Sequence, residues 1–362
     1  MNTKFAIVSC ALALASCVSA SSQMDWAYAQ PALLSGATPL SSSGLSCTAH
    51  SSSDYLKLRR FAVPVQASKE LALKYRQKGE RVYFQNSALA AIKWLDKAIA
   101  LEPFDAESHL LKGAALVSMY KFDEGIASFN RSIEISPQSG KAYCNRAHAL
   151  YWSAKSQNNS TNQKLLRLAL DDWNKGIQNN TTWTVVYYHR ALTRDMMGDR
   201  KGALEDLNED IRRNPEHADA YFVRSSMVKS SASMVSDLET AARLEPQSIT
   251  FLTRLAMAQL LAGRNADALL TYNKLVSLRP GDDFYLGRGL IKFDLKDNVG
   301  ALFDFEQSIK LGGDCFAMRG IARVRSGDHL GAMLDRYRAT AFRLNSQFRN
   351  FLNDLLSLKA LP

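Results

Sequence analysis

The sequence predicts an all-α chain, a solenoid of helical hairpins, and two observations carry that prediction. The first is a ruler of prolines: Pro137 lies 34 residues after Pro103, Pro215 follows after 78, Pro246 after 31 and Pro280 after 34. A period near 34 marks one supersecondary unit repeated, too small to bury its apolar face alone and therefore stacked on its neighbours. The second is what recurs inside the period. Gly113, Gly125 and Phe129 lead to Pro137, and Ala191, Ala203 and Leu207 lead to Pro215 in the same order. Small residues let two antiparallel helices approach, the large residue fills the gap between them, and proline ends the second helix.

Eight such units can be traced. The first runs from Tyr75 and Gly79 through Ala91, Leu95 and Ala98 to Pro103, and the second closes at Pro137. The third (Tyr143, Arg146, Ala147, Ala169, Trp173, Gly176) carries ten extra residues around Ser153 to Asn162, with Thr181 where a proline is expected. The fourth and fifth close at Pro215 and Pro246. The fifth is three residues short between Val228 and Met234, which predicts a tight turn. Leu255, Ala256, Gly263, Ala268 and Tyr272 form the sixth, ending at Pro280. The seventh (Tyr285, Arg288, Gly289, Ala301, Phe305) and eighth (Phe316, Arg319, Gly320, Gly327, Ala332) have Gly313 and Leu344 at the proline position.

This pattern resembles the tetratricopeptide repeat family over roughly residues 72 to 344. The resemblance implies a right-handed α-solenoid whose concave face, lined by the first helix of each hairpin, holds extended peptides or partner helices. The family's best-defined ligand site, a clamp for chaperone C-terminal carboxylates, is not expected. Its positions here are Arg76, Glu80, Leu111, Lys141 and Asn145, and Glu80 and Leu111 defeat it.

One correlation inside the chain predicts specific contacts. Five units carry Arg one place before the small residue of the first helix (Arg146, Arg190, Arg224, Arg288, Arg319). The same five carry Asp one place before the large residue of the second (Asp172, Asp206, Asp237, Asp304, Asp335). The other three have neither, holding Lys78 with Trp94, Lys112 with Ser128 and Leu255 with Thr271. A guanidinium fork matched to a carboxylate within one hairpin satisfies both charges, so these are expected to be structural pairs.

The solenoid is expected over residues 65–344 and a capping helix over 345–362. There Phe348, Phe351, Leu352, Leu355 and Leu356 follow amphipathic helical spacing, with Arg349, Asn350, Asn353 and Asp354 on the opposite side. At the other end, residues 1–20 read as a signal: Lys4 precedes an apolar stretch from Phe5 to Val18, long enough for export and too short for a membrane span. Leu14-Ala15-Ser16-Cys17 resembles a bacterial lipobox, which makes Cys17 the expected lipidation site and anchors the chain in the cell envelope. Cleavage after Ala20 or Ala29 is the soluble alternative. Residues 21–64 read as a flexible tether, with ten serines between Ser21 and Asp54 and no periodic apolar face.

No phosphate-cradling loop, zinc-protease helix or nucleophile elbow occurs, so no enzyme and no cofactor are expected. The most distinctive groove positions lie in the third and fourth units. Lys141, Asn145, His148 and Tyr151 on one first helix, with Tyr188 and His189 on the next, are expected to present aromatic faces and a few polar groups to a peptide. Cys144 and His148 share a helix face and His189 is near in the next unit, which raises metal binding. A fourth ligand is lacking, so no metal site is predicted.

Net charge is +10, concentrated at both ends, with ten Lys/Arg against five Asp/Glu over residues 54–102 and eight against four over 313–362. On export, anionic lipid or an acidic partner suits such patches, and nucleic acid is not expected. The reading that follows is an exported, membrane-anchored scaffold or adaptor for protein or peptide ligands. A soluble luminal or extracellular holdase and a binder of nucleic acid or anionic surfaces are its rivals.

Overall fold

The computed structural model describes residues 65–340, except 157–161 and 182. Every regular element in it is a helix: α1 (Val65–Phe84), α2 (Ala88–Leu101), α3 (Ala106–Ser118), α4 (Phe122–Ile135), α5 (Gly140–Ser156), α6 (Asn162–Gln178), α7 (Val186–Met196), α8 (Arg200–Arg213), α9 (Ala218–Met227), α10 (Ser231–Leu244), α11 (Ile249–Leu261), α12 (Asn265–Leu278), α13 (Asp282–Asp294), α14 (Asn298–Lys310), α15 (Phe316–Arg325) and α16, described over 329–340. The sixteen pair in sequence into eight hairpins. They fall into two compact units, one ending at Pro215 and one beginning at Glu216, each a stack of four hairpins. The lipobox, the tether and the segment 345–362 lie outside the described residues.

The prolines act as expected. Helices α2, α4, α8, α10 and α12 each stop two residues before Pro103, Pro137, Pro215, Pro246 and Pro280. The residue between leaves helical backbone, with φ from −123° to −150° and ψ from 80° to 102°, because a following proline ring disfavours the helical region there. Close packing follows the small residues: a Cβ placed on Gly113 would lie 2.5 Å from Cε1 of Phe129, the ring that fills that hairpin.

Hairpin turns are short and most share one device, a central residue at positive φ: Asn86, Tyr120, Gly198, Gly263, Lys296 or Gly327. The fifth hairpin departs from this, and not through a tighter turn. Its turn, Val228 to Ser230, is three residues long like that between α7 and α8. The three-residue deletion instead shortens α9 to 10 residues, and Val228 leaves the helix extended at ψ 147°. The third hairpin absorbs its insertion partly in longer helices, α5 and α6 both having 17 residues.

All five predicted Arg/Asp pairs form, each a two-pronged fork on one carboxylate. In hairpin 4, Arg190 Nε and Nη2 donate to Asp206 at 2.9 and 2.5 Å. Arg146 with Asp172, Arg224 with Asp237, Arg288 with Asp304 and Arg319 with Asp335 repeat the geometry at 2.5–3.0 Å. The aspartates are buried. Each guanidinium also lies 5.3–5.6 Å from the centroid of the aromatic ring three residues before it, Tyr143, Tyr187, Tyr221, Tyr285 or Phe316. Hydrogen bonding to the carboxylate raises the pKa of Arg146, Arg224 and Arg319 further above its ordinary value.

Two features of these hubs were not anticipated. A second cation one helical turn later reaches the same carboxylate in three hairpins: Arg194 to Asp206 at 2.8 Å, Lys292 to Asp304 and Arg323 to Asp335 at 2.9 Å. An asparagine of the preceding hairpin accepts from the arginine as well, Asn130 from Arg146 at 2.7 Å, Asn174 from Arg190 at 2.8 Å and Asn273 from Arg288 at 3.1 Å. Where the pair is missing, other chemistry occupies the same positions. Lys78 Nζ sits 3.8 Å over the Trp94 ring in hairpin 1, and in hairpin 6 Thr271 Oγ1 donates to Gln259 Oε1 at 2.8 Å.

Candidate functional site

In the first unit the first helices of successive hairpins, α1, α3, α5 and α7, touch one another and so form one face. Charged side chains begin it. Arg76 holds Asp105 through a fork of 2.7 and 2.9 Å, and burial raises the pKa of Glu107 while Lys141 and Arg76 oppose the rise. Lys141 and Asn145 follow on α5, both half-buried, with Asn145 Nδ2 donating to the Lys141 carbonyl at 2.9 Å.

One turn further along α5 the face becomes aromatic. His148 meets His189 of α7 edge to face, ring centroids 5.1 Å apart. His189 stacks on Trp173 of α6, 5.6 Å away and 10° from parallel, and lies 5.2 Å from Trp183. Trp152 Nε1 donates to His148 Nε2 at 2.9 Å, which requires that nitrogen to be unprotonated. Burial lowers the His148 pKa to about 4, so the ring is neutral at physiological pH. Trp173 Nε1 donates to Thr193 Oγ1 at 3.0 Å, and that hydroxyl in turn donates to the His189 carbonyl, which ties the stack to α7. Tyr188 continues it, half-buried, 5.2 Å from His189.

The structure thus brings His148, Tyr188 and His189 together and sets Lys141 and Asn145 one to two turns away on α5. Tyr151 is different. It is 5% exposed, packed in a core cluster with Ala154 and Leu166. The reason is the lengthened third hairpin: α5 runs five residues past Tyr151, so a residue expected near the helix end lies where α6 covers it. The metal arrangement does not assemble either. Cys144 is fully buried with its Sγ against Gly176, and desolvation pushes its thiol up to about 12, far from the thiolate a metal or a nucleophilic role requires. Among the described residues no three His, Cys, Asp or Glu side chains gather in a way that could hold a metal ion.

Trp183 was missed by sequence reasoning. It belongs to the connection 179–185, seven residues where the junction after α4 has four, and Thr181 stands there without the usual proline. From this loop the indole turns inward, 5% exposed, 5.3 Å from Trp173 and 5.8 Å from His148. The absent proline was the available signal. The resulting cluster holds two buried tryptophans, Trp173 and Trp183, against the half-buried His148 and His189, with Lys141 and Asn145 further along α5.

The sequence profile described as tetratricopeptide repeat matches residues 235–283. No curated protein sequence matches the chain. Among solved structures, the pilF protein of Pseudomonas aeruginosa superposes with a TM-score of 0.52 at 15% identity, covering 63% of this chain and 99% of its own. A tetratricopeptide repeat protein of Parabacteroides merdae gives a TM-score of 0.46 at 17% identity over 73% of this chain and 99% of its own. The fold of the described residues is that of a tetratricopeptide-repeat solenoid, and residues 235–283 match the sequence profile of that family.

Proposed function

We propose that this chain is an exported scaffold, held at the bacterial cell envelope by a lipid on Cys17, that grips a peptide or helix of a partner protein on the face formed by α5 and α7. The observation that carries the binding half is the ring cluster at the junction of hairpins 3 and 4, where His148 and His189 meet edge to face at 5.1 Å between three tryptophans. Rigid aromatic anchors dominate affinity in interfaces, and here they lie beside Lys141 and Asn145, which supply orienting polar contacts. Tyr188 and His189 are the contacts from α7, and Tyr151 supports the surface from beneath. Export and anchoring rest on the apolar run and the lipobox-like Leu14 to Cys17.

Photo-crosslinking from position 188 in the native cell tests the reading. The expected result is a discrete partner adduct, weakened about tenfold by His189→Ala with helical content unchanged, on a chain whose N-terminal peptide carries an acylated Cys17. A mature chain beginning at Ser21 or Gln30 removes the anchor, and adducts with many unfolded polypeptides replace the scaffold by a holdase. Unchanged capture by a well-folded His189→Ala variant removes the site from this face.

A further inference from the structure

A cleft of about 710 Å³ lies at the junction of hairpins 3 and 4, built from the end of α6, the connection 179–185, the first turn of α7 and the end of α8. Its size is that of a small-molecule site, and none of Lys141, Asn145, His148, Tyr188 and His189 lines it. Ile177 and the Tyr187 ring supply apolar surface, and the polar side chains beside them hold donors that lack acceptors. Trp183 is 5% exposed, and its Nε1 is buried with no hydrogen-bond partner. A buried N–H left in this state costs stability, and folded proteins hold few of them. Arg213 lies over the Tyr187 ring, 4.6 Å from its centroid, and donates through Nε to Glu209, while its two Nη groups meet no acceptor among the described residues. The side-chain amides of Asn180 and Asn214 are likewise unpaired among the described residues. No Asp or Glu lines the cleft. Glu209 is shared between Arg212 and Arg213, so one positive charge of that trio stays uncompensated, and Asp210 is fully buried, accepting from the Tyr188 N–H at 3.2 Å.

We infer that this cleft is a second binding site, apart from the α5 and α7 face, and that it takes an organic carboxylate with an apolar body. With Nε already given to Glu209, the free edge of the Arg213 guanidinium is the pair of Nη groups, which matches the two oxygens of a carboxylate as a fork. The apolar body packs on Ile177 and the Tyr187 ring. Trp183 enters from the seven-residue connection 179–185, and a small turn of that connection offers its N–H to a carboxylate oxygen, which removes the unpaired donor. The same indole lies 5.2 Å from His189, so the cleft backs onto the aromatic cluster. A free small acid and the C-terminus of a peptide share this chemistry.

Titration of the full chain, followed through the indole N–H resonance that Trp183→Phe removes, tests this. The probes are acetate, N-acetyl-phenylalanine and a blocked tetrapeptide ending in phenylalanine, each beside its amide. The acids should shift the resonance saturably, and the amides should bind at least about tenfold more weakly. Arg213→Gln should weaken the acids about tenfold with helical content unchanged, since its side chain is 51% exposed. Tighter binding of the tetrapeptide than of N-acetyl-phenylalanine assigns a peptide terminus as the source, and the reverse order a free small acid; the carboxylate site stands in both. No saturable shift with any acid overturns the inference, as do amides that bind equally well or an Arg213→Gln variant of unchanged affinity. A shift given by inorganic phosphate and by none of the acids overturns it too. If Trp183→Phe does not fold, calorimetry of the same probes on the wild type and Arg213→Gln decides by the same outcomes.

Discussion

Hairpins 3 and 4 and hairpins 7 and 8 are built on the same ionic frame and filled differently. In both regions an arginine of the first helix forks onto an aspartate of the second, Arg146 with Asp172 in one and Arg288 with Asp304 in the other. The residue after that aspartate fills the hairpin, yet it is Trp173 in hairpin 3 and Phe305 in hairpin 7. Around Trp173 the space goes to His148, Trp183 and His189, rings that carry nitrogen atoms into the packing. Around Phe305 it goes to Leu290, Phe293, Ala322 and Cys315, whose Sγ donates to the Phe305 carbonyl at 3.2 Å. The frame is held by charge pairing that is indifferent to the neighbouring fill, so the fill can change from hairpin to hairpin without changing the fold.

The comparison breaks if the frame is dispensable. Asp304 is fully buried between Arg288 and Lys292, so Asp304→Ala strands two cations and should cost about 3–5 kcal/mol. Asp172→Ala should cost less, because its partner Arg146 is more open to water. Urea midpoints measure both, and equal losses would show that the second cation and deeper burial add nothing. A double-mutant cycle on Arg190→Ala and Asp206→Ala sharpens the point, with an expected coupling of about 2 kcal/mol and a sum of single losses exceeding the double. Additive losses would mean that the fork contributes no pair energy.

The smallest effect separates the two fills. His148 has its pKa lowered from the ordinary 6.5 to about 4 by burial, so as the pH falls the unfolded chain takes up the proton first. Its contribution to stability is complete above pH 6.5 and is lost as the pH falls from 6.5 toward 4. For a half-buried ring the loss should be about 1–2 kcal/mol. Hydrogen exchange over that window should accelerate in α5 to α7 and not in α13 to α15, and His148→Phe should remove the difference. Uniform acceleration in both regions would place the acid response elsewhere.

How far the sequence reaches is visible in these same residues. The forks were legible because both partners are charged and recur together, so a pairing could be read without knowing the packing. The asparagines that complete them were not: Asn174 lies 16 residues before Arg190, in another hairpin, and one uncharged side chain carries no partner code. His148 and His189 met across α5 and α7 because the repeat fixes helical phase. Tyr151 did not, since an insertion changes how much of α5 is overlaid by α6. Trp183 escaped because loops have no periodicity to betray which way a side chain turns. The deletion in hairpin 5 was located correctly and its effect misjudged, as a shortened helix and a tightened turn leave the same gap in an alignment.

The cross-links between neighbouring hairpins give the stack its range of cooperation. Arg146 to Asn130, Arg190 to Asn174, Arg288 to Asn273, and the ion pairs Lys112 to Asp96 and Arg264 to Glu239 each tie one hairpin to its predecessor. In a linear array, stability is a sum of terms within units and terms between nearest neighbours, and the second kind decides how many units must open at once. A hairpin opening beneath Arg190 loses both its own fork and the acceptor it borrows from hairpin 3, so a disturbance at the aromatic cluster is felt on either side of the junction. If the proposed site on α5 and α7 is occupied, the ligand acts on the length over which this unit melts as one body.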